Sequence, residues 1–134
     1  MKTIAEIEED FDLLDDWEDR YRYVIELGRE LPPLDAGEKT PDTKVSGCAS
    51  QVWLVVEPDG ETLSIRGESD AHIVQGLVAL VTRLTSGHTP AEIAESDPRA
   101  FFERIGMVEH LTQQRANGLN AMIARIKAVA AARQ

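Results

Sequence analysis

The chain has 134 residues, with 24 acidic side chains against 14 Lys and Arg, a formal net charge of −10, 43% hydrophobic residues, three His and a single Cys. That length suits one domain spanning residues 1–134, apolar enough to fill a core without disulfides or structural metals. The charge speaks against phosphate backbones and anionic membranes, and one thiol excludes an internal disulfide framework or a Cys-rich metal site made by one chain alone.

Thr3-Ile4-Ala5-Glu6 has the form of a capping box and opens a first helix to about Leu14, with Ile4, Ile7, Phe11 and Leu14 on one face. Asp15 or Asp16 caps a second helix whose stripe holds Trp17, Tyr21, Val24, Ile25 and Gly28; the two aromatics fit a core role better than a ligand platform. Gly28 and the Leu31-Pro32-Pro33 run end it, and residues 35–43 form an irregular connection. The period then changes to that of strands. Lys44-Val45-Ser46 reads as a short strand, Gln51–Glu57 as a second, and Thr62–Arg66 as a third after a turn at Pro58-Asp59-Gly60. Ser69 is placed to cap a central helix from Asp70 to about Leu84, apolar over much of its circumference. Thr89-Pro90-Ala91-Glu92 and Asp97-Pro98 open two short helices, the second ended by Gly106. A long last helix starts near Thr112, with Leu119, Met122, Ile123 and Ile126 at core spacing. The expected class is α+β: helices packed on one face of a small three-stranded antiparallel sheet.

Charge is unevenly distributed, with nets of −9 over residues 1–43, −4 over 44–99 and +3 over 100–134. The acidic third reads either as a solvated helical face or as a docking surface for a basic partner. The first twelve residues carry one Lys and many acids, the reverse of a targeting peptide, so the expected compartment is the reducing cytoplasm.

Cys48 stands in Val45-Ser46-Gly47-Cys48-Ala49-Ser50-Gln51-Val52-Trp53, between two expected strands. Gly47 permits a sharp turn, the small neighbours leave the sulfur approachable, and loops on rigid scaffolds are where reactive groups are presented. A lone Cys is more often a small core residue. Metal binding lacks further ligands, and dithiol exchange lacks a resolving Cys. A Cys–His hydrolase stays open through His72, His88 or His110, although nothing local identifies a base or an oxyanion hole. Covalent carriage of a group between two proteins stays open as well, as does a non-covalent adaptor in which Cys48 is only packing.

These residues resemble SufE-type sulfur acceptors (the SufE/CsdE family), partners of cysteine desulfurases in iron–sulfur cluster assembly. The resemblance runs through W-E-D-R-Y-R-Y-V-I-E-L-G at Trp17–Gly28, Leu31-Pro32, V-S-G-C-A-S-Q-V-W at Val45–Trp53, G-E-S-D-A-H-I-V-Q-G-L at Gly67–Leu77 and the His110–Ile123 segment. It implies an α+β domain similar to iron–sulfur scaffold proteins, with a three-stranded sheet. It implies Cys48 as the persulfide-carrying residue, and Asp70, Glu103 and Arg115 as supporting or partner-binding polar residues around the Cys loop. The implied partners are a SufS-like cysteine desulfurase, which holds pyridoxal phosphate, and a SufBCD-like scaffold complex. No cofactor, nucleic acid or membrane is implied for this chain itself, and a homodimer is left open. One departure is notable: where the family usually reads H-L-T-P-S-R, this chain has His110-Leu111-Thr112-Gln113-Gln114-Arg115. Without Pro the helix start is less preset, which bears on where Arg115 lies relative to Cys48. In a chain this acidic the thiol pKa should rise unless Arg115 is close, making Cys48 a poor nucleophile on its own.

Overall fold

The computed structural model describes residues 3–133. The Thr3/Glu6 capping box is formed and starts helix α1, Ile4–Leu13, which buries Ile7 and Phe11. Asp16 caps α2, Trp17–Arg29, through the Glu18 amide, and α2 buries Val24, Leu27 and Gly28. A short 3-10 turn at Ala36–Glu38 precedes the hairpin of β1, Val52–Asp59, and β2, Thr62–Ser69. The hairpin is antiparallel, pairing Val52 with Ser69 and Asp59 with Thr62, and it turns on Gly60 at φ 63°. Along β2, alternate residues Leu63, Ile65 and Gly67 face inward against α3, His72–Thr85. Helix α3 buries ten residues and packs against both α2 and β2, so it is the axis of the core. Helices α4, Pro90–Glu95, α5, Pro98–Arg104, and α6, Gln113–Ala132, complete the α+β arrangement.

Two expectations are corrected. Lys44-Val45-Ser46 does not form a third strand; it makes a single antiparallel bridge, Lys44 to Trp53. Two backbone bonds support it, Val45 N–H to the Val52 carbonyl at 2.8 Å and Leu54 N–H to the Thr43 carbonyl at 2.9 Å. Longer pairing is prevented on both sides. Residues 40–43 are closed into a turn, with the Thr43 hydroxyl donating to the Glu38 carbonyl at 2.7 Å, and Gly47 at φ 86° bends the chain away. Nor does Ser69 cap α3. Strand pairing continues through Ser69, and the helix begins only at His72, after an Ala71 cap without side-chain support.

The helix expectations otherwise hold. Thr89 and Glu92 form their capping box, Gly106 ends the α5 region at φ 74°, and Thr112 caps α6 through the Arg115 amide at 3.3 Å. Trp17 and Tyr21 pack against the core, with Trp17 stacked on His110 at 3.7 Å between ring centres. Among the described residues, no helix is long and apolar enough to cross a membrane.

Candidate functional site

The loop holding Cys48 is fixed at both ends while its centre stays open. Upstream, the Lys44–Trp53 bridge holds the chain to β1, and Arg125 of α6 donates to the backbone carbonyls of Lys44, at 3.3 Å, and Asp42. Downstream, the Asp70 carboxylate accepts the Gln51 N–H at 3.0 Å, while the Asp70 N–H donates to the Gln51 carbonyl at 3.3 Å. Between these ties, Gly47 uses its positive φ to turn the chain, and Cys48 folds back onto α6. The half-buried sulfur donates weakly to the Gly118 carbonyl at 3.8 Å.

Cys48 lines a pocket of about 220 Å³ together with Ser50, Val74, Thr112, Arg115 and Gly118. The pocket lies where the Cys loop meets the first two turns of α6 and the first turn of α3. Among the described residues, the Arg115 guanidinium has no ion-pair partner. Arg115 is thus brought to the Cys48 pocket despite Gln113 and Gln114, because the Thr112 hydroxyl supplies the N-terminal cap that fixes the helix start. Asp70 does not line the pocket and acts on it through the loop. Glu103 is not brought there; it is exposed on α5, pairs with Arg99 at 3.2 Å and lines a separate depression with Gly106, Val108 and Glu109. No histidine lines the Cys48 pocket.

Reading the sequence missed Gly118. A glycine inside a long helix costs about 1 kcal/mol relative to Ala, which is the signal that could have singled it out. It borders the Cys48 sulfur directly: a Cβ there would stand 3.5 Å from that sulfur, an ordinary contact that would fill part of the space beside it.

Burial pushes the Cys48 thiol above its ordinary pKa. Desolvation disfavours the thiolate, so at neutral pH the sulfur is held as the uncharged thiol. Alkylation by iodoacetamide is therefore expected to rise with pH through a midpoint above the free-thiol value of about 8.5. A midpoint below that value would contradict this environment. Asp70→Ala removes the downstream tie. A hydrogen bond worth about 1 kcal/mol at an exposed position converts to a gain of about fivefold in alkylation rate at fixed pH. Equal rates in the variant and the parent would show that Asp70 does not restrain the loop.

Among the described residues, a two-stranded hairpin and six helices, with one thiol on a tethered loop beside a small pocket, define an α+β protein whose cysteine borders that pocket. The family model for SufE, described as an Fe-S metabolism associated domain, matches residues 5–130. An uncharacterized SufE-like protein of Rhizobium meliloti (strain 1021) is 52% identical over 137 aligned residues, covering 99% of this chain and 98% of the relative. One from Rhizobium etli is 53% identical over 131 aligned residues, covering 95% of this chain and 88% of that protein. The chain belongs to the SufE family and is thereby associated with Fe–S metabolism. The solution structure of a hypothetical protein from Thermus thermophilus shares the fold, with a TM-score of 0.76 at 22% identity, covering 96% of this chain and 93% of that one.

Proposed function

We propose that this chain is a covalent sulfur carrier: Cys48 accepts sulfane sulfur from a SufS-like cysteine desulfurase, stimulates that enzyme, and passes the sulfur to a SufBCD-like scaffold complex in the cytoplasm. The observation that carries this reading is a half-buried thiol bordering a pocket whose lining includes Arg115, which has no ion-pair partner among the described residues. The family membership supplies the chemical setting.

The transfer is a displacement at sulfur. Cys48, as thiolate, attacks the outer sulfur of the desulfurase's cysteine persulfide. A new S–S bond forms on Cys48, the S–S bond of the donor breaks, and the donor cysteine leaves as a thiolate that takes up the proton lost by Cys48. No net oxidation occurs. Pyridoxal phosphate belongs to the donor enzyme, where the sulfur originates. Arg115, which lines the same pocket, is assigned to steady the negative charge carried on sulfur during the attack, and Asp70 to set the resting position of the loop. Glu103, away from the pocket, is assigned to the partner-facing surface. The chain turns over nothing by itself and is a carrier, not an enzyme.

A protonated, tethered thiol suits this role, because a persulfide acceptor that stays unreactive until docked wastes little sulfur on free solutes. The open route for a hydrolase is weakened by a pocket lining without a histidine. The test is multiple-turnover desulfurase activity on free cysteine, with and without this chain. Stimulation supports the proposal; a turnover number unmoved by excess of this chain contradicts it.

A further inference from the structure

The Cys loop lies lengthwise on α6 and meets it at three points. The Arg125 guanidinium donates to the Lys44 carbonyl at 3.3 Å and to the Asp42 carbonyl. One turn back along the helix, Gly47 passes Ala121: a Cβ on Gly47 would stand 3.7 Å from the Ala121 methyl. Nearer the helix start, the Gly118 carbonyl accepts from the Cys48 thiol at 3.8 Å. Positions 118, 121 and 125 share one helical face, and the first and last stand roughly 10 Å apart along the axis. The loop therefore runs against the direction of α6. Four residues of chain reach at most about 14 Å, so wherever Lys44 is held, Cys48 can meet only a short stretch of the helix.

The three contacts are unequal. A thiol donating at 3.8 Å is weakly held, and the approach of Gly47 to Ala121 is a van der Waals contact that tolerates sliding. Hydrogen bonds from a charged donor are the strong kind, and a planar guanidinium spanning two acceptors also fixes direction. Both acceptors are backbone oxygens of the loop's upstream stem, and no carboxylate pairs with Arg125 among the described residues. Buried Val45, whose N–H donates to the Val52 carbonyl at 2.8 Å, ties this stem to the hairpin. Arg125 ties the same stem to α6, the helix that receives the sulfur.

We propose that Arg125 is a positioning residue for sulfur acceptance: by holding the Asp42 and Lys44 carbonyls, it sets the register in which the Cys loop lies along α6, and so places the Cys48 sulfur beside Gly118 and the pocket. The consequence for transfer rests on the sulfur-carrier reading; the placement of Cys48 does not.

The test is iodoacetamide alkylation of Cys48 across pH, beside stimulation of a cysteine desulfurase titrated with this chain, for the parent, Arg125→Met, Arg125→Lys and Lys127→Met. Methionine is close to arginine in helix propensity, so α6 should persist. Arg125→Met should alkylate about tenfold faster at fixed pH, with the midpoint lowered toward the free-thiol value of about 8.5, because the thiol leaves its half-buried place. Saturating stimulation should fall about tenfold, since the sulfur is misplaced, while the half-saturating concentration stays the same. Arg125→Lys, with one ammonium for two carbonyls, should give intermediate values. Lys127 is the control: it also lies on α6 and donates to a backbone carbonyl, that of Ser96 at 2.7 Å, away from the Cys loop. Lys127→Met should keep the parent's midpoint, which separates positioning from a general loosening of α6. Unchanged alkylation in Arg125→Met would overturn the proposal, as would an equal change in Lys127→Met. A loss of stimulation seen only as a higher half-saturating concentration would also overturn it, marking Arg125 as a partner contact. A parent that stimulates no desulfurase refutes the carrier reading instead, and the alkylation arm still decides whether Arg125 places Cys48.

Discussion

Cys48→Ser is expected to abolish sulfur acceptance and stimulation of the desulfurase together, while leaving the fold intact. A serine hydroxyl is nearly isosteric with the thiol, and the position is only half-buried, so the loop ties at Lys44, Asp42 and Asp70 persist. An alkoxide is inaccessible at neutral pH and forms no persulfide, so no residual transfer is expected through this side chain. Melting curves of variant and parent should agree to within a few degrees. The informative pair of measurements is turnover of a cysteine desulfurase and retention of sulfur on this chain. A serine variant that still stimulates but retains no sulfur would show a non-covalent adaptor, with Cys48 only packed against α6.

Gly76→Ala is expected to produce the largest loss of stability of any substitution by a single methyl group in this chain. Helices α2 and α3 cross in near-backbone contact: a Cβ on Gly76 would stand 2.2 Å from the Val24 carbonyl oxygen and 2.5 Å from a Val24 methyl. Gly28 faces the same crossing from the other side, where a Cβ would meet the Gly76 nitrogen at 2.7 Å. Backbone cannot step aside as a flexible side chain can, so the helices must separate. Alanine gains about 1 kcal/mol in helix propensity. Overpacking of this kind costs about 3 kcal/mol or more, because parting the helices also loosens the core around Val24 and Leu77. The net loss, about 2 kcal/mol or more, is a large share of the roughly 5–15 kcal/mol that holds such a domain together. Urea unfolding should show a clearly lowered midpoint. Gly37→Ala, where a Cβ meets nothing within 4 Å, should leave the midpoint near that of the parent. Equal midpoints for all three proteins would mean that the crossing is looser than its geometry.

What the sequence made legible was chiefly local. The caps at Thr3, Asp16, Thr89 and Thr112 each rest on a side chain reaching an amide two or three residues ahead, and each is formed. The hairpin was legible for the same reason: its turn at Gly60 and its alternation lie within one short stretch. The third strand failed because pairing is decided elsewhere, by the Thr40–Thr43 turn that uses up the chain just before Lys44. Ser69 failed as a cap because β1 claims it as a ladder partner. In the candidate site, the Cys loop stood out by composition, and the family resemblance pointed to Asp70 and Arg115. That Asp70 works by binding the Gln51 amide, and that Gly118 receives the sulfur, depend on contacts 19 and 70 residues apart. Glu103 was grouped with them through the resemblance, yet α5 carries it to a different depression. The hold of Arg125 on the Lys44 and Asp42 carbonyls had no sequence signature, since it joins positions 81 and 83 residues apart.

Peptide-resolved mass spectrometry, after incubation with a cysteine desulfurase and free cysteine, tests the central claim most directly. The account predicts that the peptide containing Val45–Trp53 gains the mass of one sulfur atom, removable by a thiol reductant. If that peptide stays unmodified while the desulfurase remains loaded with persulfide, Cys48 is not a sulfur acceptor.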